Sequence, residues 1–288
     1  MKIIDRKILQ FGIIAFPYLA SFAQTKIEFK PIQNKPLTEA QHRAKWQLVW
    51  GDEFSGKGLP NDNIWNYAVG GHGWGNRELQ YYTERKIENI RQENGILTIE
   101  CRKENFDTNR YTSARISTKI KATNTYGRWE IRAKFTGGKG VWPAIWLLPS
   151  YEPYGKQSWP DNGEIDIMEH VGWKPGTIHG SVHTRAYHHS IKSEIQFKTP
   201  VMDFDSAFHV YSVEVSSTEV KFFVDDLQYG EFKNDGKGDT KTWPFDIPLH
   251  VILNMAYGGW GAEKGLDDTN LPAMLWVDYV RCYMPKGK

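Results

Sequence analysis

Residues 163–172 read GEIDIMEHVG, which places three acids, Glu164, Asp166 and Glu169, among apolar residues in a segment that has the character of a β-strand. Carboxylates gathered on one strand can hold a hard cation, and two long ones flanking a sugar linkage can share the acid and nucleophile roles of glycoside hydrolysis. The spacing is two and then three. Strand side chains alternate, so residues 164, 166 and 168 share a face and residue 169 belongs to the other. Met168 stands where a third acid would be in register. A β-bulge between Asp166 and Glu169 would swing Glu169 back beside its neighbours. Bulge aside, Glu164 and Glu169 lie on the order of 13 Å apart at Cα. Two Glu side chains on a concave sheet can lean together until their carboxyls are about 5 to 5.5 Å apart, the separation of a retaining glycosidase. Asp would be too short at either end. The order long, short, long assigns Glu164 as nucleophile, Glu169 as acid/base and Asp166 as the partner that tunes them. Like charges close together raise the pKa of one carboxyl, so Glu169 keeps a proton to donate while Glu164 stays ionised to attack. A solvated acidic strand face, or a set of calcium ligands, satisfies the same spacing. Ile165, Ile167 and Met168 argue against the solvated face, because they look core-bound.

The elements that must position these acids are strands. Short alternating runs such as GILTIECRK, GRWEIRAKF, TIHGSVHTR, HVYSVEV and LHVILNMAYG follow one another, separated by turns at Asn94-Gly95, Gly137-Gly138, Asp235-Gly236 and Gly258-Gly259. A marginal helical turn around LTEAQHRA is the exception, and there is no internal repeat. This pattern predicts an all-β jelly-roll sandwich of two antiparallel sheets with a concave cleft. The 288 residues are 40% hydrophobic and 24% charged, enough for one large core. A formal charge of +2, with no basic stripe interleaved with aromatics, excludes nucleic acid as a partner. Residues 1–23 carry Lys2, Arg6 and Lys7, an apolar run and small residues before Gln24, which reads as a signal peptide cleaved after Ala23, with an uncleaved anchor as the alternative. Residues 24–43 read as a leader or tether, and 44–288 as the catalytic domain of a secreted or periplasmic chain with no membrane contact after cleavage. The two cysteines, Cys101 and Cys282, are open to pairing or to burial as free thiols.

WGDEFSG, GWGNRELQYYT, ENGILTIECRKE, YTSARISTK, YGRWEIRAK, GVWPAIWLLP, GEIDIMEHVG, IHGSVHT and WVDYVRCY, in that order, resemble glycoside hydrolase family 16, in its bacterial laminarinase-like endo-β-1,3-glucanase branch. The likeness runs from Trp46 to Tyr283, and the inserted Met in E-x-D-x-x-E marks that branch. It implies a secreted retaining enzyme that cuts β-1,3-glucan or mixed-linkage β-1,3-1,4-glucan as a monomer, with no cofactor for catalysis. Two other readings stay open: an algal galactan as the substrate, and a noncatalytic glucan-binding module on the same scaffold.

The resemblance also carries substrate-binding roles onto matching positions. Asn76, with Glu78 nearby, would meet sugar on the nonreducing side, or else merely cap the sandwich edge. Arg115 would sit near the nucleophile, and His183 beside the acid/base, against the plain readings of a surface arginine and a structural histidine. Trp142, Trp146, Trp159 and Trp260 are candidate platforms for the flat faces of sugar rings, with one of the four expected in the core. Trp142 and Trp146, four apart on one strand, would share a face. A structural Ca²⁺ is implied away from catalysis, held by Glu53, the carbonyl of Gly95, and Asp278, the last being otherwise an ordinary exposed acid.

Overall fold

Alternation along the chain sorts the strands into two layers. In the computed structural model, which describes residues 38–287, a seven-stranded and a ten-stranded sheet stack face to face. The seven-stranded sheet runs in the order Ile195–Pro200, Thr177–His183, Glu164–Glu169, Val141–Pro149, Leu249–Tyr257, Arg115–Ser117 and Asn66–Tyr67. The other is built around Gly127–Phe135 and the long final strand Ala273–Pro285, and Trp46–Asp52 pairs on the outside of that final strand. Between them lies one apolar core, to which Ile165, Ile167, Met168, Trp129, Ile131, Phe222 and Leu275 all contribute. This is the expected jelly-roll sandwich, with one departure. Gln80–Tyr82 pairs parallel to Asn109–Ser113, which itself forms an antiparallel hairpin with Ile96–Phe106, so the added strand comes from a distant loop.

The signal segment and most of the leader, residues 1–37, lie outside the described residues. The remainder of the expected tether is not a tether. Glu39–Lys45 forms a helix whose Thr38 cap accepts from the Gln41 amide while the Gln41 side chain accepts from the Thr38 amide. This reciprocal pair satisfies two helix-end donors at once, and explains why so short a helix forms. Its His42 contacts Glu130 of the ten-stranded sheet at 2.7 Å, so the folded unit begins ahead of Trp46. Cys101 and Cys282 are both buried free thiols, and burial pushes the Cys282 thiol up to about 12. No helix among the described residues is long and apolar enough to cross a membrane.

Candidate active site

The register of the acid strand answers the question its sequence poses. Against Thr177–His183 on one side, Glu164 pairs with His183, Asp166 with Ser181 and Glu169 with His179. Partners at 183, 181 and 179 share one face, so the three acids opposite them share it too. Against Val141–Pro149 on the other side, Asp166 faces Trp146 and Glu169 faces Ala144, which gives the same answer. The extra residue is absorbed between Asp166 and Glu169, where Ile167 and Met168 are both fully buried. A bulge leaves ladder groups unpaired. Here the Ile167 carbonyl accepts from the Tyr229 hydroxyl of the opposite sheet at 3.3 Å. That approach requires Gly180, because a Cβ there would stand 2.4 Å from the hydroxyl oxygen.

Burial raises all three carboxyls. Asp166 is pushed up to about 7, a hydrogen bond with Glu164 pulling the other way. Glu169 is pushed up to about 8 by burial and by the charge of Asp166. Glu164 is raised well above the usual carboxylate range, by burial and then by Asp166, while His183 and Arg115 pull it back toward ionisation. The trio titrates as a set holding fewer than three charges at neutral pH. His183 stands beside Asp166 and Glu164 rather than beside the acid/base as expected, with Nε2 3.2 Å from Asp166 and 3.9 Å from Glu164, because it is in register with Glu164; Trp142 Nε1 donates to Glu169 at 3.0 Å.

A cleft of about 970 Å³ opens over the acids, lined by Glu164, Glu169, His183, Trp142, Trp260 and Asn76 among others. The model of glycosyl hydrolases family 16 matches residues 77–280. The chain belongs to this family. It is 52% identical over 243 residues to a beta-glucanase of Rhodothermus marinus, covering 83% of this chain and 85% of that one. The solved laminarinase of Rhodothermus marinus superposes with a TM-score of 0.83 at 50% identity, over 84% of this chain and 98% of the other. SCLam, a non-specific endo-beta-1,3(4)-glucanase, superposes with a TM-score of 0.81 at 41% identity, over 90% of this chain and 97% of the other.

Within the family 16 cleft, most residues expected from sequence converge. Arg115 is clamped between the rings of Trp74 at 4.7 Å and Trp146 at 4.6 Å, and stands in register with Asn254. Trp146 donates to Asn254 Oδ1 at 2.7 Å, and Trp260 meets Trp142 edge-on at 5.9 Å. Trp159 stands apart: it lines a smaller cavity of about 190 Å³ with Arg115 and His250, and its ring contacts His183, His188 and His189. All four tryptophans remain partly accessible, so none is the core residue expected among them. Glu78 is displaced from the expected role. It is only 8% exposed and lies beneath the cleft wall, accepting from Gln80 at 2.7 Å, Tyr82 at 2.9 Å and Asn76 at 3.4 Å. Tyr82 in turn accepts from Asn254 at 3.1 Å, so Glu78 anchors the network that orients Trp146.

Sequence reasoning missed Tyr82, Gln80, Asn254, Trp74, His179 and Ser181. Their signals were weak because each sits in a run that reads as ordinary strand or loop. The calcium residues fit in part. Gly95, at φ +78°, leaves the Glu53 carbonyl 4.0 Å from where a Cβ would be, so one backbone oxygen stands near the expected site. The acids themselves are engaged: Glu53 with Arg281 through bonds of 2.7 and 2.8 Å, and Asp278 with Arg132.

Proposed function

We propose that the chain is a secreted, retaining endo-glucanase that hydrolyses β-1,3-glucan of the laminarin type and mixed-linkage β-1,3-1,4-glucan. The observation that carries this reading is the bulged register, which sets Glu164 and Glu169 on one cleft floor with Asp166 between them. Glu169, raised to about 8, holds a proton at neutral pH. It gives that proton to the glycosidic oxygen as the Glu164 carboxylate attacks the anomeric carbon and the bond to the departing sugar breaks. Water then attacks the glycosyl ester, Glu169 takes its proton, and Glu164 leaves as carboxylate. Arg115 and the His183 side chain are the neighbours that pull Glu164 toward ionisation. The kinship with beta-glucanases and laminarinases supports the glucan. Lys174 and Lys198 line the cleft together with Glu194 and Glu263, a mixed lining that does not favour a sulfated galactan.

The test is to incubate the chain from Gln24 onward with laminarin, lichenan, agarose and porphyran, following reducing ends. Laminarin and lichenan are expected to be cut, with the β-anomer first by NMR, and Glu164→Gln is expected to lower kcat/KM by at least about 10⁴-fold. Cleavage of a galactan alone would move the substrate. A structural Ca²⁺ at Glu53, Gly95 and Asp278 belongs to the same proposal, as a tie between the first and last strands. Excess EDTA is expected to lower Tm by about 2 to 4 °C with the product anomer unchanged, and an unmoved melting curve argues against the ion.

A further inference from the structure

Two polar side chains on the cleft floor lack the full set of partners that burial demands. His179 is 2% exposed and Ser181 1%; the Ser181 hydroxyl is without a hydrogen-bond partner, the His179 ring has only the Gln196 side chain as a polar group to interact with, and both residues line the cleft. Native proteins rarely leave buried polar groups unpaired except where a ligand or water completes them. Their place in the sheet says which part of a ligand would do so. Ser181 is in register with Asp166, and His179 with Glu169. One strand further out, Gln196 and Lys198 continue the same two rows. On the other side of the acids, Arg115, Trp146 and Asn254 occupy the arm that the Asn76 loop borders. With the nonreducing sugars on that arm, the departing sugar extends over Thr177–His183.

We propose that His179 and Ser181 form the hydroxyl-binding floor of the subsite that receives the departing sugar, with His179 as its specificity-determining residue. The inference rests on the glucanase reading above and deepens it. The His179 ring is held rather than free. It meets Trp260 edge-on at 4.9 Å, Trp260 meets Trp142 at 5.9 Å, and Trp142 donates to Glu169. The imidazole and the acid that protonates the leaving oxygen are therefore fixed by one set of contacts. Burial pulls His179 down to about 4, which keeps the ring neutral at working pH. A neutral imidazole offers one donor and one acceptor, the pairing that adjacent sugar hydroxyls present in reverse. A site that hydrogen-bonds a hydroxyl penalises a leaving group without one.

The experiment compares kcat/KM on laminaritetraose with kcat/KM on 4-nitrophenyl β-laminaribioside, whose leaving group carries no sugar hydroxyls. In His179→Ala the ratio of the first to the second is expected to fall about tenfold, the effect of one lost hydrogen bond to substrate. His179→Gln, which keeps a donor and an acceptor, is expected to recover the ratio to within about threefold. Ser181→Ala should lower the ratio less, and serves if the histidine variant does not fold. An unchanged ratio in both alanine variants overturns the proposal while the glucanase reading stands. A glutamine variant as poor as alanine overturns it too, because the ring would then act only by packing. A wild-type chain that cuts neither substrate overturns the glucanase reading and this inference together.

Discussion

Two acid clusters, each with a buried member, occupy opposite sides of the sandwich, and their difference separates structural from reactive carboxylates. On the outer face of the ten-stranded sheet, Arg128, whose side chain is 1% exposed, reaches Glu130 at 2.5 Å, Glu214 at 3.1 Å and Asp226. His42 and Lys45 of the short helix add contacts to Glu130 and Glu214 at 2.7 and 3.1 Å. Burial pushes Glu130 up, but the hydrogen bond from His42 and the charge of Arg128 win and hold it below the usual range. In the cleft, Asp166 and Glu169 are buried as Glu130 is, yet His183 comes within 4 Å of only Asp166 and Glu164, and Arg115 acts on Glu164 from its place between two rings. Desolvation wins there, and the set retains protons instead of ionising completely. Carboxylates buried to a similar degree become ion pairs or proton donors according to how many cations stand against them.

The comparison breaks most visibly at Arg128. Arg128→Met leaves three acids without their shared cation and is expected to cost about 3 kcal/mol of stability by denaturant unfolding, with kcat unchanged per folded molecule. A variant as stable as the parent would mean that the outer cluster is solvated rather than paired.

A second change acts on the bulge. Tyr229→Phe removes the donor to the Ile167 carbonyl and is expected to cost about 1 to 2 kcal/mol. It should also lower kcat severalfold, because Glu169 stands two residues beyond the bond that is lost. Loss of stability with kcat intact would show that packing alone holds the bulge.

The smallest effect sharpens the electrostatic contrast. A carboxyl raised in the folded state binds more protons folded than unfolded, so stability falls as pH rises from the ordinary carboxylate value through the folded one. For Glu169 that window runs from 4.5 to about 8. Glu169→Gln is therefore expected to gain about 1 kcal/mol at pH 8 to 9 and nothing near pH 4, as read from Tm across pH. In the parent enzyme, kcat/KM should fall on the alkaline side near pH 8 as Glu169 loses its proton. Glu130, held low, has the opposite sign: its contribution is present above the ordinary carboxylate pKa and is lost as pH falls through the lowered one.

The acid strand was legible because a break in a period of two is a discrete event, and the inserted Met168 marks it in the sequence itself. Trp142 and Trp146 were legible for the same reason, their spacing of four placing both on the cleft face beside Glu169 and Asn254. Glu78 was misread because sequence shows a polar residue in a loop, whereas the isolated pairing of Glu78 with Gly258 draws it under the wall. Asn254 lies in a strand buried along its whole length, so nothing in its neighbours marks it as polar by design. His179 and Ser181 alternate with core residues in IHGSVHT, and only the register against the acids gives them a role. The capped helix at Glu39–Lys45 escaped because it is held by two reciprocal bonds and a histidine contact rather than by an apolar stripe.

The most direct test of the division of labour between Glu164 and Glu169 is covalent trapping. The chain is incubated with an activated 2-deoxy-2-fluoro β-laminaribioside, digested, and the labelled peptide sequenced by mass spectrometry. A glycosyl ester on Glu164 is the predicted result; a label on Glu169 would contradict it.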